Sequence, residues 1–314
     1  MARKIVLGID TSNYTTSAAL MSTDGELIAN IKRPLPVKSG ECGLRQSDAV
    51  FAHVKNLPFV MAEVRETVGD ETPVCVGVST RPRNLEGSYM PCFLSGVAAA
   101  ESIAATFNLP IYHFSHQCGH VMAAIYSSHS SDLLDREFMA FHVSGGTTEL
   151  LRVNWTGDGF SAEKVGGTAD LNAGQVIDRI GVHLGMPFPA GPHLEDSAKL
   201  CTARVPKRKV SVNGTYANLS GLENMAKELY AQTEDKALVA AFVLDYVGNT
   251  LLKICENYKE INGDLPFVFA GGVMCNGIIK SKLSTLGDVR FAEPLASADN
   301  AVGIAALALK KYLK

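Results

Sequence analysis

Paired cysteines are missing from this sequence. Its seven cysteines (Cys42, Cys75, Cys92, Cys118, Cys201, Cys255, Cys275) are scattered, odd in number and without a C-x-x-C spacing. With no secretory signal, that usage points to reduced thiols in the cytosol rather than a disulfide framework. Long apolar runs are also missing. No stretch reaches the ~18 apolar residues of a spanning helix, so the expectation is a soluble cytoplasmic protein with no membrane partner. There is no excess of positive charge either, and a formal net charge of −3 rules out a globally basic nucleic-acid binder. A local patch is a separate matter: "VPKRKV" (Val205 to Val210) is the best candidate, with a solvated loop as the plain alternative. The protease signature H-E-x-x-H is absent, spacing identifies no Ser-His or Cys-His arrangement, and there is neither a P-loop nor a G-x-G-x-x-G fingerprint. What is present is ordinary globular composition, 46% hydrophobic and 19% charged, in 314 residues, enough for two domains with real cores.

The order of apolar runs and turns describes an α/β chain. "KIVLGID" and "SAALMS" are short strands flanking the polar turn "TSNYTT", a hairpin with a hydroxyl-rich tip. The plan recurs in "FMAFHVSGGTTELLRV", strand, tip and strand again, which suggests an internal duplication. Between the copies, "PVCVGVST" reads as a buried strand, "FLSGVAAAESIAATF" as a helix, and "LPIYHF" as a strand entering a helix that carries histidines. After the second copy come the helix "AGQVIDRIGVHLG", the rigid turn "MPFPAGP" and the long amphipathic helix "EDKALVAAFVLDYVGNTLLKICENY". Strand, Gly-Gly turn and helix follow in "LPFVFAGGVMCNGIIKSKL", and a last helix opens at Ser297 or Asp299. Polar "SSHSSDLLDRE" marks a domain change.

Three sets of residues could carry chemistry. His116 and His120 stand four apart, which on a helix puts both imidazoles on one face. Taken alone they also read as surface residues of an ordinary helix. The turn from Ser144 to Gly146 follows a strand, so its backbone N–H groups can meet a phosphate with no Cβ in the way, and Thr147, Thr148, Thr11, Ser12, Thr15 and Thr16 could offer hydroxyls to the same anion. Gly271 and Gly272 precede a helix in the same manner. Each such turn alone is a common tight turn; together, in an α/β chain, they indicate nucleotide binding.

These pieces resemble the TsaD-type universal tRNA threonylcarbamoyltransferases, formerly called O-sialoglycoprotein endopeptidases. "GIDTSNYTTSAAL" is similar to that family's first phosphate hairpin and "HQCGH" to its H-x-x-x-H metal motif. "VSGGTTEL" resembles its V-S-G-G-H/N-T-x-L, and "AGQVIDRIGVHLGMPFPAGPHLE" its A-G-E-A-x-D-K…G-L-P-Y-P-G-G-P segment. "GGVMCN" and "SADN" stand for G-G-V-x-x-N and the terminal T-D-N. The resemblance implies two related actin-like (ribonuclease H-like) domains with a nucleotide and metal cleft between them: residues 1–125 with 298–314, and 126–297. It implies that His116, His120 and Asp299 bind one divalent ion, iron or zinc, a donor set chemically suited to either. His142, where some members carry a metal-bound tyrosine, is added as a fourth ligand, although a histidine in a strand also reads as an ordinary core or edge residue. Val143, Ser144, Gly145, Gly146 and Thr147 would meet the phosphate of an adenylate or ATP, with Asp10, Thr11 and Ser12 on the first hairpin. Asp178 and Glu195 would bond the ribose hydroxyls, Gly191 and Asn276 would frame the adenine, and Gly271 and Gly272 would lie at the nucleotide. Without the resemblance, Asp299 reads as a helix cap and Asp178 and Glu195 as solvated helix residues. No catalytic acid, base or nucleophile is singled out.

Departures from the family pattern touch substrate handling. Asn13 and Tyr14 replace the carboxylates of E-T-S-C-D-E-T, "RPRNLEGSYMPCFLSG" replaces most of G-P-G-L-x-G-S-L, and Thr147 stands where His or Asn is usual. The chain thus reads as a divergent paralogue. The implied activity is metal-dependent transfer of a threonylcarbamoyl group from its adenylate to an amine, N6 of adenosine in tRNA. The implied partners are tRNA and other threonylcarbamoylation proteins, with a homo- or heterodimer through the N-terminal domain. The alternatives are a non-catalytic or regulatory ATP/ADP-binding metalloprotein, or carbamoyl transfer to a different acceptor.

Overall fold

Short apolar runs become strands, and the central ones are buried along most of their length. A computed structural model of the protein describes residues 4–12, 14–36, 44–293 and 301–314. Asn13, Cys42, Ser297 and Asp299 lie outside the described residues. The chain forms two compact units: residues 1–131, 155–161 and 295–314, and residues 132–154 and 162–294.

In unit 1, β1 (Ile5–Asp10) pairs antiparallel with β2 (Thr15–Ser22), which pairs antiparallel with β3 (Leu27–Pro34). On its other side β1 pairs parallel with β4 (Cys75–Arg81), and β4 with β5 (Ile111–Ser115), giving the order β3-β2-β1-β4-β5. Ile5, Leu7, Ile9, Ala18, Leu20, Val76 and Val78 fill the core of this unit, beneath α1 (Gln46–Val68) and α2 (Phe93–Phe107). Burying each such large aliphatic side chain is worth about 1.5–3 kcal/mol. Helix α1 carries Pro58 in its interior, a residue that ordinarily breaks a helical pattern, and the sequence reading contains no helix there. Helix α3 (His116–Ser127) follows β5 directly; Ser115 caps it, its hydroxyl accepting the N–H of Cys118.

In unit 2, β6 (Phe138–Val143) pairs antiparallel with β7 (Thr148–Trp155), and β8 (Phe160–Thr168) lies beside β7. The short ribbon β9 (Val212–Asn213) and β10 (Tyr216–Ala217) extends that edge. On the other side β6 runs parallel to β11 (Phe267–Ala270), and β11 to β12 (Val289–Phe291). The order β12-β11-β6-β7-β8 reproduces that of unit 1, with β6 in the place of β1. Helices α4 (Ala173–His183), α5 (Gly191–Lys199), α6 (Ser220–Thr233), α7 (Lys236–Asn262) and α8 (Gly277–Leu283) complete it. α7 is long and apolar enough to cross a membrane, but most of it lies inside the core of this unit.

The last helix, α9 (Val302–Tyr312), packs in unit 1. Glycines let it sit close: a Cβ on Gly8 would lie 2.6 Å from the backbone N of Ala305, and one on Gly303 would strike the carbonyl of Gly119 in α3. That contact holds the histidine helix by its backbone.

Candidate functional site

Each unit presents a turn at the end of its first hairpin, and the two turns differ in chemistry. In unit 1 the parallel register of β1 and β4 pairs Ile9 with Val78, so the next residues, Asp10 and Ser79, end level. Asp10 is fully buried. Its carboxylate accepts the hydroxyls of Ser12 and Ser79 in short hydrogen bonds, and Nδ1 of His116 lies 3.2 Å from Oδ1. Burial alone would raise the Asp10 pKa. The charge of His116, and the hydrogen bonds from His116, Ser12 and Ser79, outweigh it and hold the group below the ordinary carboxylate value. An ionised Asp10 accepts the Nδ1 proton, so in the neutral form of the ring Nε2 of His116 is the acceptor. The rings of His116 and His120 meet edge to face with centroids 4.2 Å apart, and Phe93 lies 6.2 Å from His116.

Three of the four hydroxyls expected to face a phosphate from the first hairpin, those of Thr11, Ser12 and Thr16, have internal partners. Thr11 donates to the carbonyl of Cys92 and accepts the N–H of Gly96, which ties the start of α2 to the tip. The Ser12 proton goes to Asp10. Thr16 Oγ1 lies 2.8 Å from Nδ1 of His53, which is fully buried. Ser79 and His53 have no part in the sequence reading. Ser79 could have been found from its position at the C-terminal end of a buried strand; His53 carries no such signal in the sequence.

In unit 2 the turn after β6 is open. The N–H of Ser144 donates to the carbonyl of Thr147 at 2.7 Å, and the Ser144 hydroxyl accepts the N–H groups of Gly146 and Thr147 at 3.3 and 3.0 Å. A Cβ on Gly145 or Gly146 would meet nothing within 4 Å. The N-terminus of α4 abuts this turn. Gly174 N–H donates to the carbonyl of Ser144 at 3.1 Å, Ala173 N–H to the hydroxyl of Thr148 at 2.9 Å, and a Cβ on Gly174 would lie 2.6 Å from the N of Gly145. Gly271, at φ +100°, passes so close to the carbonyl of Val143 that no side chain fits, and Gly272 begins the short 3-10 turn that follows it. His142 lies on β6 in this unit, opposite Glu149.

The remaining nucleotide candidates of unit 2 hold helix ends. Asp178 accepts the N–H of Ala190 at 2.8 Å and that of Gly191, at the start of α5. Burial raises its pKa against those two donors. Glu195 accepts the N–H of Gly277 at 3.1 Å and pairs with Lys199 at 3.2 Å. Asn276 is buried and caps α8 through the N–H of Ile279. Among the described residues no group of three or more His, Cys, Asp or Glu side chains gathers as a metal site; Asp299 lies outside them.

Two units that repeat one strand order, each with a polar turn after its first strand, define the fold of actin, hexokinase and the heat-shock ATPases. Component A of (R)-2-hydroxyglutaryl-CoA dehydratase from Acidaminococcus fermentans is similar over 99% of this chain and 100% of its own, at 16% identity and TM-score 0.58. The activator of 2-hydroxyisocaproyl-CoA dehydratase from Clostridium difficile, with bound ADPNP, is similar at 13% identity and TM-score 0.53, over 98% and 95% of the two chains. Full-length HypF, in a phosphate- and nucleotide-bound form, matches 99% of this chain over 47% of its own, at 13% identity and TM-score 0.61. At such identities the likeness is one of fold. Sequence goes further: the chain belongs to the TsaD family, tRNA N6-adenosine threonylcarbamoyltransferase, whose pattern matches residues 49–306.

Proposed function

We propose that this protein transfers a threonylcarbamoyl group from its adenylate to N6 of adenosine in tRNA. The observation that carries the reading, beside family membership, is the open Ser144–Thr147 turn set against the N-terminus of α4. Two successive glycines with no Cβ, beside the positive end of a helix dipole, let a phosphate approach the backbone at Gly145 and Gly146. In the reaction the amine nitrogen bonds to the carbamoyl carbon, the carbon–oxygen bond to the phosphate breaks, the nitrogen gives up a proton, and AMP departs. The turn's role is to bind the phosphate and stabilise the charge it gains on leaving.

Unit 1 suits a divalent ion at His116 and His120. Asp10 fixes the tautomer and the plane of His116, the carboxylate–histidine pairing that typically orients a metal ligand from behind. Asp299 is the proposed third ligand and His142 is offered as a fourth. Iron or zinc there would supply Lewis-acid polarisation of a carbamate oxygen. Partner proteins have a face to use on unit 1, where Phe51, Val54 and Phe59 of α1 are more than half exposed.

A second reading, a regulatory subunit that binds ATP or ADP, is favoured by the internal partners of Thr11, Ser12 and Thr16. One experiment separates the two. The protein is incubated with threonylcarbamoyl adenylate and unmodified tRNA, with and without the family's partner proteins, and nucleosides are analysed by mass spectrometry. Modified adenosine and matching AMP release are expected, together with about one metal ion per chain that is lost in His116→Ala. Nucleotide binding without modification in any combination leaves the regulatory reading.

A further inference from the structure

The segment between α5 and β9 has no regular secondary structure, yet it is held at both ends. Val205 and Val210 pack against the core of unit 2, and the Ser211 N–H donates to the hydroxyl of Tyr246 at 3.2 Å. Between the two valines Lys207, Arg208 and Lys209 stand exposed, with Arg204 exposed just before them. Cations elsewhere in this unit are mostly paired: Arg152 with Glu137, Lys164 with Glu149, Arg179 with Glu223, Lys282 with Asp245. Among the described residues Arg204, Lys207, Arg208 and Lys209 have no carboxylate partner. Four unneutralised cations within six residues, in a chain of net charge −3, form a concentrated field that attracts a polyanion.

The neighbouring ribbon adds an aromatic. Tyr216 lies opposite Asn213, Ala217 opposite Val212, and Asn218 N–H donates to the carbonyl of Ser211 at 3.0 Å. Exposure alternates along both strands, so Lys209, Ser211, Asn213, Tyr216 and Asn218 are the outward residues. Tyr216 is 43% exposed on the outermost ribbon of its sheet. Four residues of extended chain, about 13 Å, separate Lys209 from the Tyr216 level, which a few nucleotides of one strand can span.

We propose that the Arg204–Lys209 loop and Tyr216 form an RNA-binding surface of unit 2, the cations meeting phosphates and the phenol ring stacking on an unpaired base. This rests on the tRNA reading above and assigns the acceptor a contact surface apart from the phosphate turn.

The test measures binding of unmodified tRNA to the full chain by fluorescence anisotropy across a salt series. Lys207→Ala/Arg208→Ala/Lys209→Ala is expected to weaken binding about tenfold or more and to flatten the log–log salt slope by about 2. Tyr216→Ala should weaken it roughly tenfold, and Tyr216→Phe should restore it. Circular dichroism and ADP binding check that the variants are folded. A wild-type chain that binds no tRNA, a triple variant with unchanged affinity and slope, or an unaffected Tyr216→Ala each overturns the proposal. Transfer is scored separately from AMP release. tRNA modified normally by a loop variant that binds it normally sinks only this surface, whereas loop-dependent binding without modification sinks only the transferase reading.

Discussion

The hairpin tips of the two units occupy the same place in the same strand order and solve opposite problems. At the end of β1 a fully buried carboxylate gathers two serine hydroxyls and a histidine, and Thr11 and Thr16 have internal partners. At the end of β6 the turn is held by bonds between Ser144 and Thr147 and by the start of α4, while the Cβ positions of its two glycines face open space. One duplicated scaffold thus supports a rigid, charged orienting centre in one copy and an accessible backbone nest in the other. The difference teaches that the first tip fixes a side chain, while the second is built to receive something.

The largest expected effect breaks the closed tip. Asp10→Ala leaves two buried hydroxyls and His116 without their shared acceptor, and should cost about 3–5 kcal/mol of stability. Denaturant unfolding followed by fluorescence reads it directly, because the single tryptophan, Trp155, packs on Phe160 at 5.0 Å within unit 1. An unchanged midpoint would mean that Asp10 is not the anchor described. In unit 2 the matching tests separate packing from access. Gly174→Ala presses a methyl group onto the backbone of Gly145 and should cost about 1–3 kcal/mol. Gly145→Ala, one residue into the open turn, should leave stability within about 0.5 kcal/mol while weakening binding of ADP, measured by calorimetry, about tenfold or more. Equal destabilisation by both substitutions would show the turn to be closed.

The same contrast explains how far the sequence could be read. Both hairpins were legible because short, continuous apolar runs flank a polar tip, a pattern confined to a few neighbouring residues. The helices α2, α4 and α7 were legible from their apolar stripes. Helix α1 was not, because Pro58 breaks the local pattern and packing on β2, β3 and α2 sustains the helix through it. The Ser79–Asp10 bond joins residues 69 positions apart and exists only once β4 has paired with β1. Asp178 and Glu195 are visible as carboxylates in a motif, but their use in holding the starts of α5 and α8 depends on which helix ends the fold brings to them.

The smallest effects sharpen the picture inside unit 2, where two carboxylates hold helix starts and tilt stability with pH in opposite senses. Burial raises the Asp178 pKa despite the N–H groups of Ala190 and Gly191. The folded protein therefore holds that proton more tightly than the unfolded chain, and stability falls as pH rises from the ordinary carboxylate value of about 3.9 through the raised one. Asp178→Asn should flatten that slope. Asp170 is the reverse case. It accepts the N–H groups of Leu219 and Ser220 at 2.8 and 3.0 Å, where α6 begins. Burial would raise its pKa, but the hydrogen bonds from Ser220, Leu219 and Leu171 prevail and lower it. Its stabilisation is complete above the unfolded value and is lost as pH falls through the lowered folded one. Because Asp170 is exposed, solvent screens the charge, and Asp170→Ala should cost only about 1 kcal/mol, as for a typical helix cap. Thermal melts at pH 3 to 6 in both variants should show the two slopes diverging. Parallel slopes would mean that burial, not the donors at the helix starts, governs both groups.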